Sequence, residues 1–325
     1  MADTMLAAVF QEPGHLSVRE TDSPRPGAGE VLMALEGTGV CASNLPLWEG
    51  APWFQYPMAP GTGGHEGWGV VREVGDGVDR QLLGKRVAAL SYKAYAERDI
   101  ARAEALLVLP EALDDQPFPG EALGCAMNIF ARSKILPGQR VAILGIGFLG
   151  AILTRLAARA GAHVIAISRR PYSLQIARDM GAAELIEMND HRAIIDRVAQ
   201  LTEGRFCERV IEATGKSWPL DLAGELTAEG GRMMIAGYHQ DGPRQINMQL
   251  WNYRGFDVIN AHERDARVSL AGMRAALSAI LEGTLDPRPL YTHQFALRDI
   301  ADAFRCTQER PEGFMKALVR MEARS

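Results

Sequence analysis

The sequence predicts an α/β protein of two domains, a mostly-β N-terminal domain followed by a doubly wound parallel sheet, and three observations carry that prediction. Residues 1–120 are rich in Gly and Pro, with short β-like runs separated by turn clusters such as Ser-Pro-Arg-Pro-Gly-Ala-Gly. From about residue 137 apolar runs of four or five residues alternate with amphipathic helical segments, the pattern of strands buried on both faces of a parallel sheet. The length, 325 residues, favours two cores over one.

In the first part the β-like runs include Val31–Leu35, Gly69–Val74 and Arg86–Leu90. In the second, strands at Val141–Leu144, His163–Ile167, Ala183–Glu187, Glu208–Ala213 and Arg232–Ala236 alternate with helices near 148–160, 172–180, 190–202 and 218–227. The tail, 265–325, holds a long amphipathic helix (Ala266–Glu282), a strand-like segment (Tyr291–Phe295), a short helix (Leu297–Cys306) and a last strand around Lys316–Val319. Such a tail cannot fold alone, so it is expected to return to the N-terminal domain. The expected division is 1–120 completed by 265–325, and 121–264.

Composition narrows the functions available. About half the residues (47%) are apolar and 23% are charged, as in an ordinary soluble globular protein. A formal net charge of −5 offers no general attraction to nucleic acid or anionic lipid. The N-terminus lacks a basic region followed by an apolar core, and the most apolar run, around 141–153, is interrupted by Arg155, so neither signal peptide nor membrane span is expected. Cys41, Cys125, Cys207 and Cys306 lie far apart, which argues for reduced thiols and a cytoplasmic location.

Gly145-Ile146-Gly147-Phe148-Leu149-Gly150 follows a buried strand and opens a helix. The first glycine permits the tight turn, the second lets backbone approach a pyrophosphate, and the third lets helix and strand pack closely. The helix N-terminus supplies N–H groups and positive potential, so the motif in this context predicts dinucleotide binding. An acidic residue at the end of the second strand would bind the adenosine ribose and repel a 2′-phosphate; here Ser168, Arg169 and Arg170 follow Ile167. Serine removes the repulsion and either guanidinium can grip the phosphate, which favours NADP(H) over NAD(H). The stretch Gly237-Tyr-His-Gln-Asp-Gly follows the last buried strand and is expected to face the nicotinamide half, with His239 within reach of substrate or merely on an exposed loop.

Gly61-Thr-Gly-Gly-His65-Glu66-Gly67 sets adjacent imidazole and carboxylate in glycines, and Cys41 lies in Gly39-Val-Cys-Ala-Ser-Asn44. A thiolate and an imidazole from separate loops, with a third protein ligand and an open position, describe a catalytic zinc site.

These stretches, with Glu121-Ala-Leu-Gly-Cys125-Ala and Ile211-Glu-Ala213-Thr-Gly215, resemble the zinc-containing medium-chain alcohol and polyol dehydrogenases over essentially the whole chain, and its sorbitol-dehydrogenase-like branch in particular. The resemblance implies a GroES-like catalytic domain and a Rossmann domain. It implies Cys41 and His65 as zinc ligands, Glu66 as a carboxylate that approaches the metal during ligand exchange, and Glu121 as third ligand, with Cys125 as the alternative. It implies Ala213 and Gly237 among the cofactor contacts, and a homodimer or homotetramer.

Three departures from the family pattern matter. The segment between Leu90 and Pro110 contains no cysteine, so the structural zinc lobe is missing and one zinc per chain is expected. Asn44 replaces an aspartate and is expected to orient the His65 N–H without full charge. Pro46 replaces a relay histidine, leaving Ser43 as the first relay hydroxyl. The implied reaction is reversible hydride transfer between an alcohol or its carbonyl and the nicotinamide. Trp48, Trp53, Phe54 and Tyr56 are expected near the cleft mouth as substrate pocket or, equally, as core. A zinc-free quinone or enoyl reductase of the same fold and a non-catalytic dinucleotide-binding protein are the alternatives, and both predict loss of the metal ligands.

Overall fold

The computed structural model describes residues 3–322. The chain divides into two compact units, one of residues up to Cys125 together with those from Asp265 onward, the other Ala126–Arg264.

The first unit begins with an antiparallel hairpin of β1 (Thr4–Glu12) and β2 (His15–Asp22). The long strand β3 (Glu30–Val40) then organises the larger sheet, followed by the short helix α1 (Leu45–Glu49). β4 (Gly67–Val74) pairs antiparallel to β3, and β5 (Arg86–Ala89) to β4. β6 (Arg98–Arg102) also pairs with β3, and β7 (Leu106–Val108) with β5. The cysteine-free segment between Leu90 and Pro110 is therefore occupied by two strands of this sheet. Helix α2 (Gly120–Ser133) comes next, and the division between the units falls within it.

The second unit alternates strand and helix: β8 (Arg140–Leu144), α3 (Phe148–Arg159), β9 (His163–Ser168), α4 (Pro171–Asp179), β10 (Glu184–Glu187) and α5 (His191–Leu201). It continues with β11 (Cys207–Glu212), α6 (Ser217–Leu226), β12 (Thr227–Ile235), α7 (Met248–Arg254) and β13 (Asp257–Asn260). All pairings are parallel, in the order β10-β9-β8-β11-β12-β13. That is the doubly wound arrangement, with its topological switch point between β8 and β11. Val141, Ile143 and Leu144 of β8 are fully buried, each side chain contributing about 1.5–3 kcal/mol. Helix starts follow local chemistry: Pro171 stands at the first position of α4, and the Asp190 carboxylate accepts from Ala193 N–H at α5.

The tail returns to the first unit through α8 (Ala266–Leu281), β14 (His293–Ala296), α9 (Ile300–Glu309) and β15 (Ala317–Arg320). β15 lies antiparallel on β3 and β14 parallel on β15, giving the order β14-β15-β3-β4-β5-β7. Phe304 of α9 packs among Phe10, Trp48 and Tyr95, tying tail to N-terminal core.

Sequence periodicity does not reveal β6, β7 or β13. These are short, and β13 is exposed at three of its four residues, so no apolar run marks it. The edge strand β10 is likewise only partly buried, unlike the two-faced burial expected for every strand of this sheet.

Candidate active site

Register brings three chain segments to one end of β3. Thr38 pairs with Gly67 and Val40 with Ala317, so Cys41 lies just beyond β3, His65 and Glu66 just before β4, and Lys316 just before β15. Antiparallel pairing thus does what no local motif can, placing residues distant in sequence at adjacent strand ends. Gly64 lets the approaching loop lie against the backbone of Ala94 and Tyr95, 2.4–2.7 Å from where its Cβ would stand. Glu121 enters from the first turn of α2.

The ligand atoms of Cys41, His65 and Glu66 lie within 4.8 Å of one another. Glu121 Oε2 is 3.9 Å from His65 Nε2, at the edge of this set. Cys125, one helical turn beyond Glu121, is partly buried, and desolvation followed by the nearby Glu121, Cys41 and Glu66 pushes its thiol up. Desolvation also raises the Glu121 carboxyl, against a downward pull from His65. Burial alone would lower His65, but Cys41, first by hydrogen bonding and then by charge, and after it Glu121 and Glu66, raise it to about 10. Groups able to carry three negative charges therefore surround one imidazole, which holds a proton where a cation is wanted. Thiolate, imidazole and carboxylate oxygen within this span fit zinc.

The support of His65 differs from expectation. Its Nδ1 lies 2.8 Å from the Gly63 carbonyl, while Asn44 Nδ2 donates to that same carbonyl at 2.6 Å and to Tyr95 Oη at 2.8 Å. Asn44 thus acts on the imidazole through Gly63, because the glycine loop puts a backbone acceptor between them. Ser43 lies partly buried on the 3₁₀ turn that follows Cys41.

Trp48 is not a pocket residue: its ring is 5% exposed, stacks on Phe304 at 5.7 Å and donates from Nε1 to Gln308. Phe54 packs against the same core, as does Tyr56, whose hydroxyl donates to the Leu47 carbonyl. Trp53 is 57% exposed, its ring tilted against that of Phe54 with the centroids 6.0 Å apart.

In the second unit the three glycines of the turn have separable reasons. Gly145 takes φ +95°, and a Cβ there would stand 2.5 Å from Thr214 Cγ2. A Cβ on Gly150 would stand 2.1 Å from the Gly145 carbonyl. Gly147 has an ordinary φ of −97° and no protein atom within 4 Å of its absent Cβ, so nothing in the protein itself requires glycine there. The space fits a pyrophosphate approaching the first residues of α3, where Phe148 and Leu149 remain partly exposed. Ser168 is buried at the end of β9, Arg169 is exposed and Arg170 half-buried. Ala213 N–H donates to the Leu144 carbonyl at 2.8 Å, beside the turn, and Gly237 admits the Gly215 backbone, 2.1 Å from where a Cβ would stand.

Two buried groups escape sequence reasoning. Lys316 Nζ lies 2.7 Å from Glu66 Oε1 and 2.6 Å from Oε2, both side chains being buried. Burial would lower Lys316, but Glu66 and then Cys41 raise it. A lysine between Met315 and Ala-Leu-Val of a buried strand is a signal in itself, since such a charge requires a partner. Glu212, wholly buried at the end of β11, accepts from Thr214 and Gly215 N–H and lies 3.0 Å from His239 Nε2. Arg244 Nε donates to His239 Nδ1 at 2.9 Å, so His239 is held within the unit instead of facing solvent on a free loop.

Residues 27–108 match the family model of the alcohol dehydrogenase GroES-like domain, and residues 149–283 that of the zinc-binding dehydrogenases. A sorbitol dehydrogenase of Halalkalibacterium halodurans is 26% identical, the match covering 90% of this chain and 92% of the relative. An alcohol dehydrogenase of Cupriavidus necator is 25% identical across 98% of this chain and all of its own. The solved apo structure of a zinc-dependent alcohol dehydrogenase from Streptococcus pneumonia superposes with a TM-score of 0.89 at 23% identity over 99% of both chains. Among the described residues no helix is long and apolar enough to cross a membrane.

Proposed function

This chain belongs to the zinc-type medium-chain alcohol and polyol dehydrogenases, NAD(P)-dependent oxidoreductases of small alcohols and their carbonyls, and on that premise we propose how its residues divide the work. Cys41, His65 and Glu121 hold one zinc, with Glu66 beside it as the exchange carboxylate. The observation that carries this is the convergence of Cys41, His65 and Glu66 ligand atoms within 4.8 Å, with Glu121 3.9 Å from His65. When bound, zinc would supply Lewis acidity toward the substrate hydroxyl and the nicotinamide would supply the hydride-transfer chemistry. Ser43 takes the hydroxyl proton and passes it outward, the route left when proline occupies position 46. Gly63 and Asn44 keep the His65 ring in one orientation.

The turn Gly145–Gly150 binds the pyrophosphate through backbone N–H groups at the start of α3, with Ala213 and Gly237 at neighbouring strand ends. Arg169 and Arg170, beside Ser168, favour NADP(H). The absence of a cysteine between Leu90 and Pro110 supports a single zinc. The substrate is a polyol or similar small alcohol, in line with the sorbitol dehydrogenase relative. Four free cysteines support a cytoplasmic enzyme, which we take to work as a homodimer or homotetramer.

Metal analysis tests the site. About one zinc per chain is expected in the parent, falling in Cys41→Ser and in His65→Ala; full metal in both variants sinks the assignment. For the cofactor, Arg169→Ala should lower the NADP over NAD preference about tenfold if this guanidinium grips the phosphate. An unchanged ratio excludes Arg169 from phosphate recognition and leaves Arg170 to be tested in the same way.

A further inference from the structure

We propose that Lys316 is a positioning residue that holds the Glu66 carboxylate off the metal and so keeps one coordination position open for substrate. The inference rests on the zinc assignment above.

Glu66 is within range of becoming a fourth ligand, its oxygen lying within 4.8 Å of the Cys41 and His65 donor atoms. Instead both of its oxygens face Lys316 Nζ, at 2.6 and 2.7 Å. The sheet builds the place where this pair rests: a Cβ on Gly39 would stand 1.7 Å from Glu66 Oε2 and 3.0 Å from Lys316 Cε. Pairing of Val40 with Ala317 fixes Lys316 at that spot, so the tail completes the site.

Charge explains why the arrangement matters. A dication with the Cys41 thiolate and the Glu121 carboxylate is neutral, and Glu66 with Lys316 is neutral beside it. Were Glu66 to join the metal, the centre would gain a negative charge and lose both its open position and much of its Lewis acidity. Without Lys316 the buried carboxylate would turn toward the metal, since an unpaired buried charge is strongly disfavoured.

The test uses full-length protein loaded with Co²⁺, whose visible bands report coordination number, and imidazole as the probe of the open position. In the parent, imidazole binds saturably and shifts the bands. Lys316→Met should bind Co²⁺ about tenfold more tightly, show altered bands before any probe is added, and bind imidazole about tenfold more weakly. Lys316→Arg should behave as the parent, and Lys316→Met/Glu66→Gln should regain parent-like bands and imidazole binding. Gly39→Ala, which evicts the carboxylate while keeping the lysine, should reproduce the Lys316→Met spectrum and serves if that variant fails to fold. Parent-like bands and imidazole affinity in Lys316→Met or, where it cannot be made, in Gly39→Ala overturn the inference while leaving the zinc site standing. A parent protein with no thiolate-to-cobalt charge-transfer band overturns the zinc assignment and this inference together.

Discussion

The glycine turn of the second unit is written in six consecutive residues, Gly145–Gly150, whereas the polar cluster of the first is drawn from four segments around residues 41, 65, 121 and 316. The turn needs only a strand, a helix start and glycines in the right places. That cluster exists only when β4 and β15 flank β3 in register and α2 supplies its first turn. The two regions therefore fail independently, and each can be broken while the other reports whether the protein is intact.

The largest break is Cys41→Ser. Losing the metal removes several kcal/mol of charge stabilisation, so kcat/KM should fall at least about a thousandfold. Cofactor affinity, read by quenching of protein fluorescence, should stay within about twofold; a parallel loss of cofactor binding would show the regions to be coupled.

Gly147→Val breaks the other side. A side chain entering the pyrophosphate space should weaken cofactor binding about a hundredfold, roughly 2.7 kcal/mol. Zinc content and melting temperature should not change, because no protein atom lies within 4 Å of the new Cβ. Unaltered cofactor affinity would remove Gly147 from the binding surface.

Gly150→Ala sharpens the contrast within the turn. Here the Cβ meets the Gly145 carbonyl at 2.1 Å, so overpacking should cost about 1–3 kcal/mol in urea unfolding. An undiminished stability would mean that helix and strand shift apart freely.

Near neutral pH the smallest effect is a titration in the second unit alone, which shows only in alkali. Burial, with Glu208 adding to it, raises the Cys207 thiol to about 12 from 9.0. A raised folded pKa gives stability that is fully present below the unfolded pKa and lost as pH rises. Stability should therefore fall from about pH 9 toward 12, by at most about 1.4 kcal/mol per unit from this group. Cys207→Ala, compared with the parent by urea unfolding across that window, should lack this component; equal slopes would exclude it.

Much was legible in the chain because the information was local. Apolar runs between amphipathic segments marked β8, β9 and β11 closely, since both faces of those strands are buried. Cys41 and His65 stood out in the chain through the glycine-rich stretches around them, whereas Glu121 and Cys125 stayed alternatives because both lie in one short segment. Pocket and core stayed open for Trp48 because an aromatic between two ligand loops looks the same whether it faces a cleft or, as here, stacks on Phe304. The support of His65 by Gly63 was invisible because a backbone carbonyl carries no sequence signature.

By itself the sequence determined the alternation of strands and helices and the glycine turn, because these depend on residue type and short spacing. Only the tertiary structure decided that Lys316, 250 positions from Glu66, shares its site. Strand pairing is set by which faces bury and which registers fit over the whole sheet, and no short stretch contains that information.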